Sequence, residues 1–199
     1  MPPRNPGQRA GLTHSSVLVA ARGLLLDQGL DGLTMRALAE RLGVSPNALY
    51  SHVENKTALV DDLLDDVLAA VQALAPDSRD PLGSVRALMT STYRVLLAHA
   101  ELIPLYLARQ GARGPNAQHL GDVMLALLAD AGVTGSRAGE ALHVLIVYTI
   151  GSAAFATRSP LATGEVPLPS GEDHAGHFDH GLRWILAGIS LSPGSGRPG

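Results

Sequence analysis

The 199-residue sequence predicts an all-α protein that contains a helix-turn-helix near its N-terminus. Apolar residues recur every three or four positions in several segments, as on the buried face of an amphipathic helix. No stretch alternates apolar and polar residues over the length of a strand. Hydrophobic residues make up 46% of the chain, so the helices can pack around a sizeable core.

The helix-turn-helix pattern lies within residues 33–59. Thr34 is a favourable N-cap for a first helix, and Gly43 can end that helix because glycine adopts the left-handed conformation without strain. Ser45 caps a second, very short helix over residues 46–52, which begins with proline. Since the second helix of such a pair fits the major groove of DNA, this stretch predicts a DNA-binding domain.

Charge is distributed unevenly along the chain, whose net charge is −3. Residues 1–56 contain six basic and four acidic residues, whereas residues 57–199 contain nine basic and fourteen acidic ones. A basic head on an acidic body is typical of a DNA-binding domain joined to a body that does not bind DNA. The charge distribution therefore supports the DNA-binding interpretation.

Several protein classes are excluded by what the sequence lacks. Cysteine is absent, which rules out disulfides and thiolate catalysis. There is no nucleophile–base motif, phosphate-binding loop or HExxH, so we expect a protein that is not an enzyme and has no cofactor. The N-terminus has no signal-peptide core, and no apolar run reaches the roughly 20 residues that cross a bilayer. We therefore expect a cytoplasmic protein without a membrane partner.

Prolines and glycines divide the chain into segments. We expect a disordered arm over residues 1–11, the helix-turn-helix domain over 12–57, a second helical domain over 58–191 and a disordered tail over 192–199. Outside the helix-turn-helix, periodicity predicts helices over residues 13–28, 56–74, 82–100, 101–110, 116–131, 136–157 and 173–189.

The last two long helices indicate a second subunit. Residues 143–156 are apolar on almost every side, and a helix of this kind must be buried all round. Gly151 and Ser152 allow another backbone to approach closely, and the final helix carries an apolar stripe of its own. Two such helices from each of two subunits form a four-helix interface, so we expect a homodimer. The alternative is a monomer in which the apolar helix forms the core.

Two clusters raise the question of a metal site. Four aspartates lie close together on the helix that follows the helix-turn-helix: Asp61, Asp62, Asp65 and Asp66. They have no histidine nearby, and we expect a solvated face. Three histidines occur at three-residue steps among acidic residues in the stretch 172–180: His174, His177 and His180. This stretch is either a transition-metal site or a polar loop that enters a helix, and we favour the loop.

Two N-terminal segments carry a family resemblance: L-T-M-R-A-L-A and G-V-S-P-N-A-L-Y-S-H-V-E-N-K-T-A-L. They resemble the first motif helix, the turn and the recognition helix of the tetracycline-repressor (TetR) family of bacterial regulators. The segments I-G-S-A-A-F and F-D-H-G-L-R-W-I-L-A-G-I resemble the tetracycline-repressor branch of that family. The resemblance implies a homodimer that binds a palindromic operator and releases it when a small ligand enters the body.

The resemblance therefore implies a ligand-responsive transcriptional repressor, in which residues 58–191 form a ligand-binding and dimerisation domain. Such a protein is associated with the nucleoid when it is bound to its operator. The alternative is a DNA-binding regulator, either an activator or an architectural protein, without small-molecule control.

Positions that match the family motif carry implied roles at DNA. Thr34 and Arg36 begin the first motif helix beside the phosphates, and Arg36 is suited to a guanine. The residues implied to face base edges are Pro46, Asn47, Ala48 and Ser51. The residues implied to contact phosphates are Tyr50, His52 and Lys56. The alternative for Tyr50 is partial packing, and for His52 it is capping of the helix end.

The resemblance does not extend to the drug site. The tetracycline sensor holds a magnesium–drug chelate through a histidine and a glutamate, and their positions fall here on Tyr106 and Phe155. Neither side chain is such a ligand, so we expect a small, mainly apolar effector bound without a metal. The candidate ligand-binding residues are Gln72, Met89, Thr92, Tyr93, Tyr106, His143, Val147 and Phe155.

Overall fold

The structure is a computed structural model that describes residues 12–72, 79–157 and 174–191. Every regular element in these residues is a helix, which confirms the all-α prediction. The chain divides into two compact units, Met1–Leu63 and Leu64–Gly199. The arm over residues 1–11 and the tail over 192–199, both expected to be disordered, lie outside the described residues.

Unit 1 is built from α1 (His14–Gly32), α2 (Met35–Leu42), α3 (Pro46–Tyr50) and the first part of α4 (Lys56–Leu68). Leucine and valine side chains from all four helices are buried at its centre. The backbone of α1 departs from helical geometry at Gly29, where φ is 67°, so the last turn is set off by a kink. The expected glycine break is therefore present, although the helix continues beyond it to Gly32.

Unit 2 contains the end of α4 and five further α-helices with a short 3-10 turn at Ala100–Leu102: α5 (Pro81–Ala98), α6 (Ile103–Arg109), α7 (Pro115–Asp130), α8 (Ser136–Ala156) and α9 (His174–Leu191). α5 and α8 form the centre, because α5 packs on α7, α8 and α9, and α8 packs on α5, α6, α7 and α9. This arrangement places the interior of unit 2 between α5, α6, α7 and α8.

α4 ends earlier than periodicity predicts. The helix was expected to reach residue 74, but its last helical residue is Leu68. The next three backbone N–H groups bond three residues back, which tightens the turn, and the N–H of Gln72 donates to Ser91 Oγ at 2.9 Å. The apolar spacing continues past Leu68, so sequence periodicity alone does not reveal this end.

α8 has the length and composition of a membrane-spanning helix. It has 21 residues, and the mean hydropathy of its most apolar 18-residue window is 1.4. The expectation that no apolar run has this length is therefore wrong. A core helix passes the same test, and α8 buries one side against four other helices of unit 2. Its other side exposes several large apolar residues, including Val147 and Phe155.

Candidate DNA interface and ligand cavity

The helix-turn-helix is held by the caps that its sequence predicts. Thr34 Oγ1 accepts a hydrogen bond from the N–H of Ala37 at 3.1 Å, and Ser45 Oγ accepts one from the N–H of Ala48 at 3.2 Å. Gly43 has a φ of 64°, which ends α2 at a position where an L-residue would be strained. Leu49 is fully buried, so α3 is anchored on one side and presents its other side to solvent.

The nine predicted DNA contacts lie along α2, α3 and the start of α4. Seven are exposed: Thr34, Arg36, Pro46, Asn47, Tyr50, Ser51 and Lys56. Ala48 and His52 are half-buried. The hydroxyl of Ser51 donates to the carbonyl of Ala48 at 2.7 Å, which leaves its oxygen as an acceptor for a base. Tyr50 is 50% exposed, so packing does not occupy its whole ring.

His14 is a structural residue of this surface that sequence reasoning missed. Its Nδ1 lies 3.2 Å from the carbonyl oxygen of His52, and its Nε2 lies 3.4 Å from a carboxylate oxygen of Asp62. The imidazole therefore joins the first turn of α1 to the end of the recognition segment and to α4. No local pattern predicts this contact, because 38 residues separate His14 from His52.

A cavity of about 160 Å³ lies inside unit 2 between α5, α6, α7 and α8. None of the residues that line it has a charged side chain. The lining residues are Leu68, Leu88, Met89, Thr92, Leu96, Tyr106, Gln110, Gly111, Ala112, Ala117, Leu120, Gly121, Met124, Leu142, Ile146, Thr149 and Ile150. Such an uncharged lining with a few polar groups is suited to a small neutral molecule.

The cavity brings together three of the eight predicted ligand-binding residues: Met89, Thr92 and Tyr106. The other five do not line it: Gln72, Tyr93, His143, Val147 and Phe155. His143, Val147 and Phe155 lie on the exposed side of α8, and Gln72 is exposed after the end of α4. The predicted residues of α8 thus lie on the side that faces away from this cavity, because a helix that is apolar all round gives no sign of which face points inward.

Tyr93 is part of an aromatic stack instead. The centroid of its ring lies 4.1 Å from that of Phe178. The ring of Tyr148 also stacks on Phe178, with a centroid distance of 5.4 Å. Burial raises the pKa of Tyr93 and also that of Tyr148. Both phenols therefore stay protonated at neutral pH, and that of Tyr148 donates to the carbonyl of Phe178 at 3.0 Å. The stack fixes α9 to α5 and α8.

Sequence reasoning also missed the contribution of α7 and of the segment after α6 to the cavity. α7 contributes Ala117, Leu120, Gly121 and Met124, which lie on one helical face. Periodicity identifies this face as buried but does not identify the helices that it meets. Gln110 and Thr149, which line the cavity with polar groups, carry no local signal at all.

Asp65 is buried, so the expectation of a solvated aspartate face is wrong at this position. One carboxylate oxygen accepts from the N–H of Asn116 at 3.1 Å, and the other accepts from that of Ala117 at 2.8 Å. The side-chain amide of Asn116 donates to the same carboxylate at 3.0 Å. Asp65 therefore caps the N-terminus of α7 from α4, where a negative charge also matches the helix dipole.

The residue before α7 must be glycine for this cap to form. Gly114 has a φ of 154°, and a Cβ atom added there would lie 2.4 Å from the carboxyl carbon of Asp65. Tyr106 makes a second bond to the end of α4, since its hydroxyl donates to the carbonyl of Leu64 at 2.5 Å. The Asp65 cap on α7 and the Tyr106 bond from α6 therefore connect two helices that line the cavity to the last turns of α4.

The described histidines and acidic residues form no group that could hold a metal ion. His180 Nδ1 lies 2.9 Å from the carbonyl oxygen of Gly176, and Asp179 pairs with Arg183 at 3.2 Å. Glu172 and Asp173, which belong to the proposed cluster, lie outside the described residues. The histidine stretch from His174 onward is the first part of α9, as the helix predicted over residues 173–189 implies.

An exposed recognition helix in one unit and an uncharged cavity in the other define a helix-turn-helix transcriptional regulator with a small-molecule site. Residues 17–63 match the family of bacterial regulatory proteins called tetR, and residues 82–168 match the tetracyclin repressor-like C-terminal domain. An HTH-type transcriptional regulator of Saccharopolyspora erythraea is 31% identical over 206 residues, which cover 92% of this chain and 86% of the relative. The chain belongs to the TetR family.

Two further likenesses concern repressors and ligand complexes. The class A tetracycline repressor from transposon 1721 of Escherichia coli is 36% identical over 148 residues, which cover 71% of this chain and 65% of that protein. The crystal structure of Streptomyces coelicolor ActR in complex with actinorhodin superposes with a TM-score of 0.77 at 26% identity, covering 91% of this chain and 99% of ActR. The relatives are regulators of transcription, so the chain is not an enzyme.

Proposed function

We propose that the protein is a homodimeric repressor that binds a palindromic operator and is released from it by a small, mainly apolar effector. The observation that carries this proposal is the bonding of the cavity wall to α4. Tyr106 lines the cavity and also donates to the carbonyl of Leu64, while Leu68 of α4 lines the cavity directly. Because α4 begins in the DNA-binding unit, a change at the cavity can reach the recognition helix along one continuous helix.

The exposed side of α8 supports the homodimer. Val144, Val147 and Phe155 follow one another at helical spacing on this side, and Phe155 is 60% exposed. On α9, Trp184 is 77% exposed. Large apolar side chains on two adjacent helices are the expected surface of a four-helix interface between two copies. A twofold axis would then make the operator palindromic, with recognition helices about 34–36 Å apart.

The effector is argued from the cavity. Its lining has no charged side chain, so a neutral molecule avoids the cost of burying an unpaired charge. ActR, which resembles this chain in fold, has been crystallised in complex with actinorhodin, and this supports a small-molecule effector here. The effector can release the operator only to the extent that it binds the released state more tightly than the DNA-bound state.

An alternative within the same family is a DNA-binding regulator without small-molecule control, acting as an activator or an architectural protein. The structured cavity beside α4 favours the ligand-responsive repressor over this alternative. TetR-family DNA-binding regulators are expected in the cytoplasm, and we propose that this protein is associated with the nucleoid while it occupies its operator.

The proposal is tested by a mobility-shift assay on the DNA upstream of the protein's own gene, with a random duplex of equal length as the control. We expect retardation of the upstream DNA at concentrations that leave the random duplex free, and release when aromatic neutral compounds are added. Retardation of both duplexes alike would contradict sequence-specific repression. Specific retardation that no such compound reverses would favour the regulator without small-molecule control.

The roles proposed for Asn47 on α3 and for Lys56 at the start of α4 predict two kinds of mutant. Asn47→Ala is expected to reduce operator affinity about 5- to 150-fold while leaving the random duplex almost unaffected, because an amide pairs with a base edge. Lys56→Ala is expected to weaken both duplexes by a similar factor and to lower the salt dependence of binding, because it removes a phosphate contact. Binding titrations at several salt concentrations distinguish the two. Equal losses for both variants on both duplexes would remove the assignment of base readout to Asn47.

A further inference from the structure

Gln110 has an unusual backbone conformation at the edge of the cavity. Its φ is 56° and its ψ is 45°, which is left-handed, and it is the non-glycine residue with positive φ in the described part of the chain. It ends α6, with its N–H directed at the carbonyls of Tyr106 and Leu107. Glycine or asparagine is the usual residue at such a helix end, so a glutamine here is strained. Strain of this kind is found at functional sites more often than elsewhere.

The other polar groups of the cavity have already used their hydrogens. Thr92 donates to the carbonyl of Leu88 at 3.0 Å, and Thr149 donates to that of Leu145 at 2.8 Å. Tyr106 donates to Leu64. A hydroxyl that donates to a carbonyl still offers lone pairs, so the hydroxyls of Thr92 and Thr149 are placed to accept from a ligand.

Gln110 is different, because its side-chain amide makes no hydrogen bond to another described residue. It lines the cavity and is itself exposed, so it stands at the mouth of the cavity with both NH₂ hydrogens unused. Among the described lining side chains it therefore supplies the donor. A ligand oxygen that can only accept, such as a carbonyl, finds its side-chain partner there.

The size of the cavity limits what can enter. A cavity of about 160 Å³ is close to the roughly 150 Å³ that holds one benzene ring. One substituted ring fits inside, while any further part of a larger molecule must extend through the mouth past Gln110. An ionised group inside would be buried without a counter-charge.

We propose that Gln110 selects the effector, as the donor that reads a carbonyl oxygen on a neutral aromatic molecule whose hydroxyl group donates to the acceptors inside. This inference rests on the proposed function, since it names the ligand class of the same cavity. Gln110 lines the cavity in a left-handed conformation, where glycine would relieve the backbone strain but supply no donor.

Four single-ring probes separate the parts of this proposal. 4-Hydroxybenzaldehyde carries both a carbonyl and a hydroxyl, 4-methylphenol lacks the carbonyl, toluene lacks both, and 4-hydroxybenzoate carries a charge. Calorimetric titration at pH 6, where both phenols are neutral, is expected to give affinity in that order. Each added hydrogen bond contributes about fivefold, and the benzoate is expected not to bind.

Gln110→Gly removes the amide at a position where glycine is unstrained, so the variant is expected to unfold at a temperature no lower than the parent protein. It should bind 4-hydroxybenzaldehyde about five- to tenfold more weakly and 4-methylphenol within twofold. Gln118→Ala, which removes an exposed amide of α7 outside the cavity lining, is the matched control and should bind all probes as the parent protein does.

An unchanged preference for the aldehyde in Gln110→Gly would overturn the role of Gln110. Tight binding of the benzoate, or failure of all four probes to bind, would overturn the ligand class. The operator mobility shift is run on the same proteins without probe. Its absence in the parent protein would contradict the proposed function independently, whereas a normal shift together with a failed probe series would contradict this inference alone.

Discussion

Val147→Glu is expected to convert the proposed homodimer into a monomer and to reduce its operator affinity by a factor of 10² to 10⁴. Val147 is 55% exposed on the side of α8 that carries Val144 and Phe155. A carboxylate there would be buried without a partner in a four-helix interface, at a cost of several kcal/mol per copy. A monomer has one recognition helix. In a dimer, binding of one recognition helix to its half-site holds the second helix close to the other half-site, and a monomer loses this gain in effective concentration.

Sedimentation and fluorescence measure this change directly. Trp184 is the one tryptophan of the sequence and lies on the exposed side of α9. Its emission should therefore shift to longer wavelength when the interface is lost, while sedimentation reports the mass. Leu107→Glu is the matched control, because Leu107 is similarly exposed at 52% but lies on α6. If Val147→Glu remained a dimer with full operator affinity, α8 would not form the interface.

Asp65→Ala is expected to lower the free energy of unfolding by about 2–4 kcal/mol. The substitution removes a buried carboxylate that accepts from the N–H groups of Asn116 and Ala117 and from the side-chain amide of Asn116. The first turn of α7 then loses its cap, and its donors are left without their partner. Urea titration followed by circular dichroism measures the loss.

Two variants test the physical reason. Asp122→Ala removes the same group from an exposed position of α7 and is expected to change stability by less than about 0.5 kcal/mol. Asp65→Asn keeps a capping side chain of the same shape and should recover part of the loss. Equal stability of Asp65→Ala and Asp122→Ala would contradict the cap. Since α7 lines the cavity, Asp65→Ala should also weaken the link between effector and operator, measured as the ratio of operator affinities with and without effector.

Local patterns in the sequence predicted the helix-turn-helix in detail. Thr34, Gly43 and Ser45 occupy the cap positions that their chemistry favours, because a cap depends on residues within one turn of each other. The helices of the second unit were likewise predicted to within a few residues at most ends. The exception was α4, whose last turn is tightened by contacts that include Ser91 on another helix.

The sequence by itself determined that this protein is all-helical, carries a helix-turn-helix and resembles TetR-family regulators, because caps, glycine breaks and apolar spacing act over a few residues. Only the tertiary structure decided which face of α8 is buried, that Asp65 caps α7 rather than facing solvent, and that Gln110 stands at the mouth of the cavity. These features depend on side chains that lie far apart along the chain and meet only when the helices pack, so no local pattern encodes them.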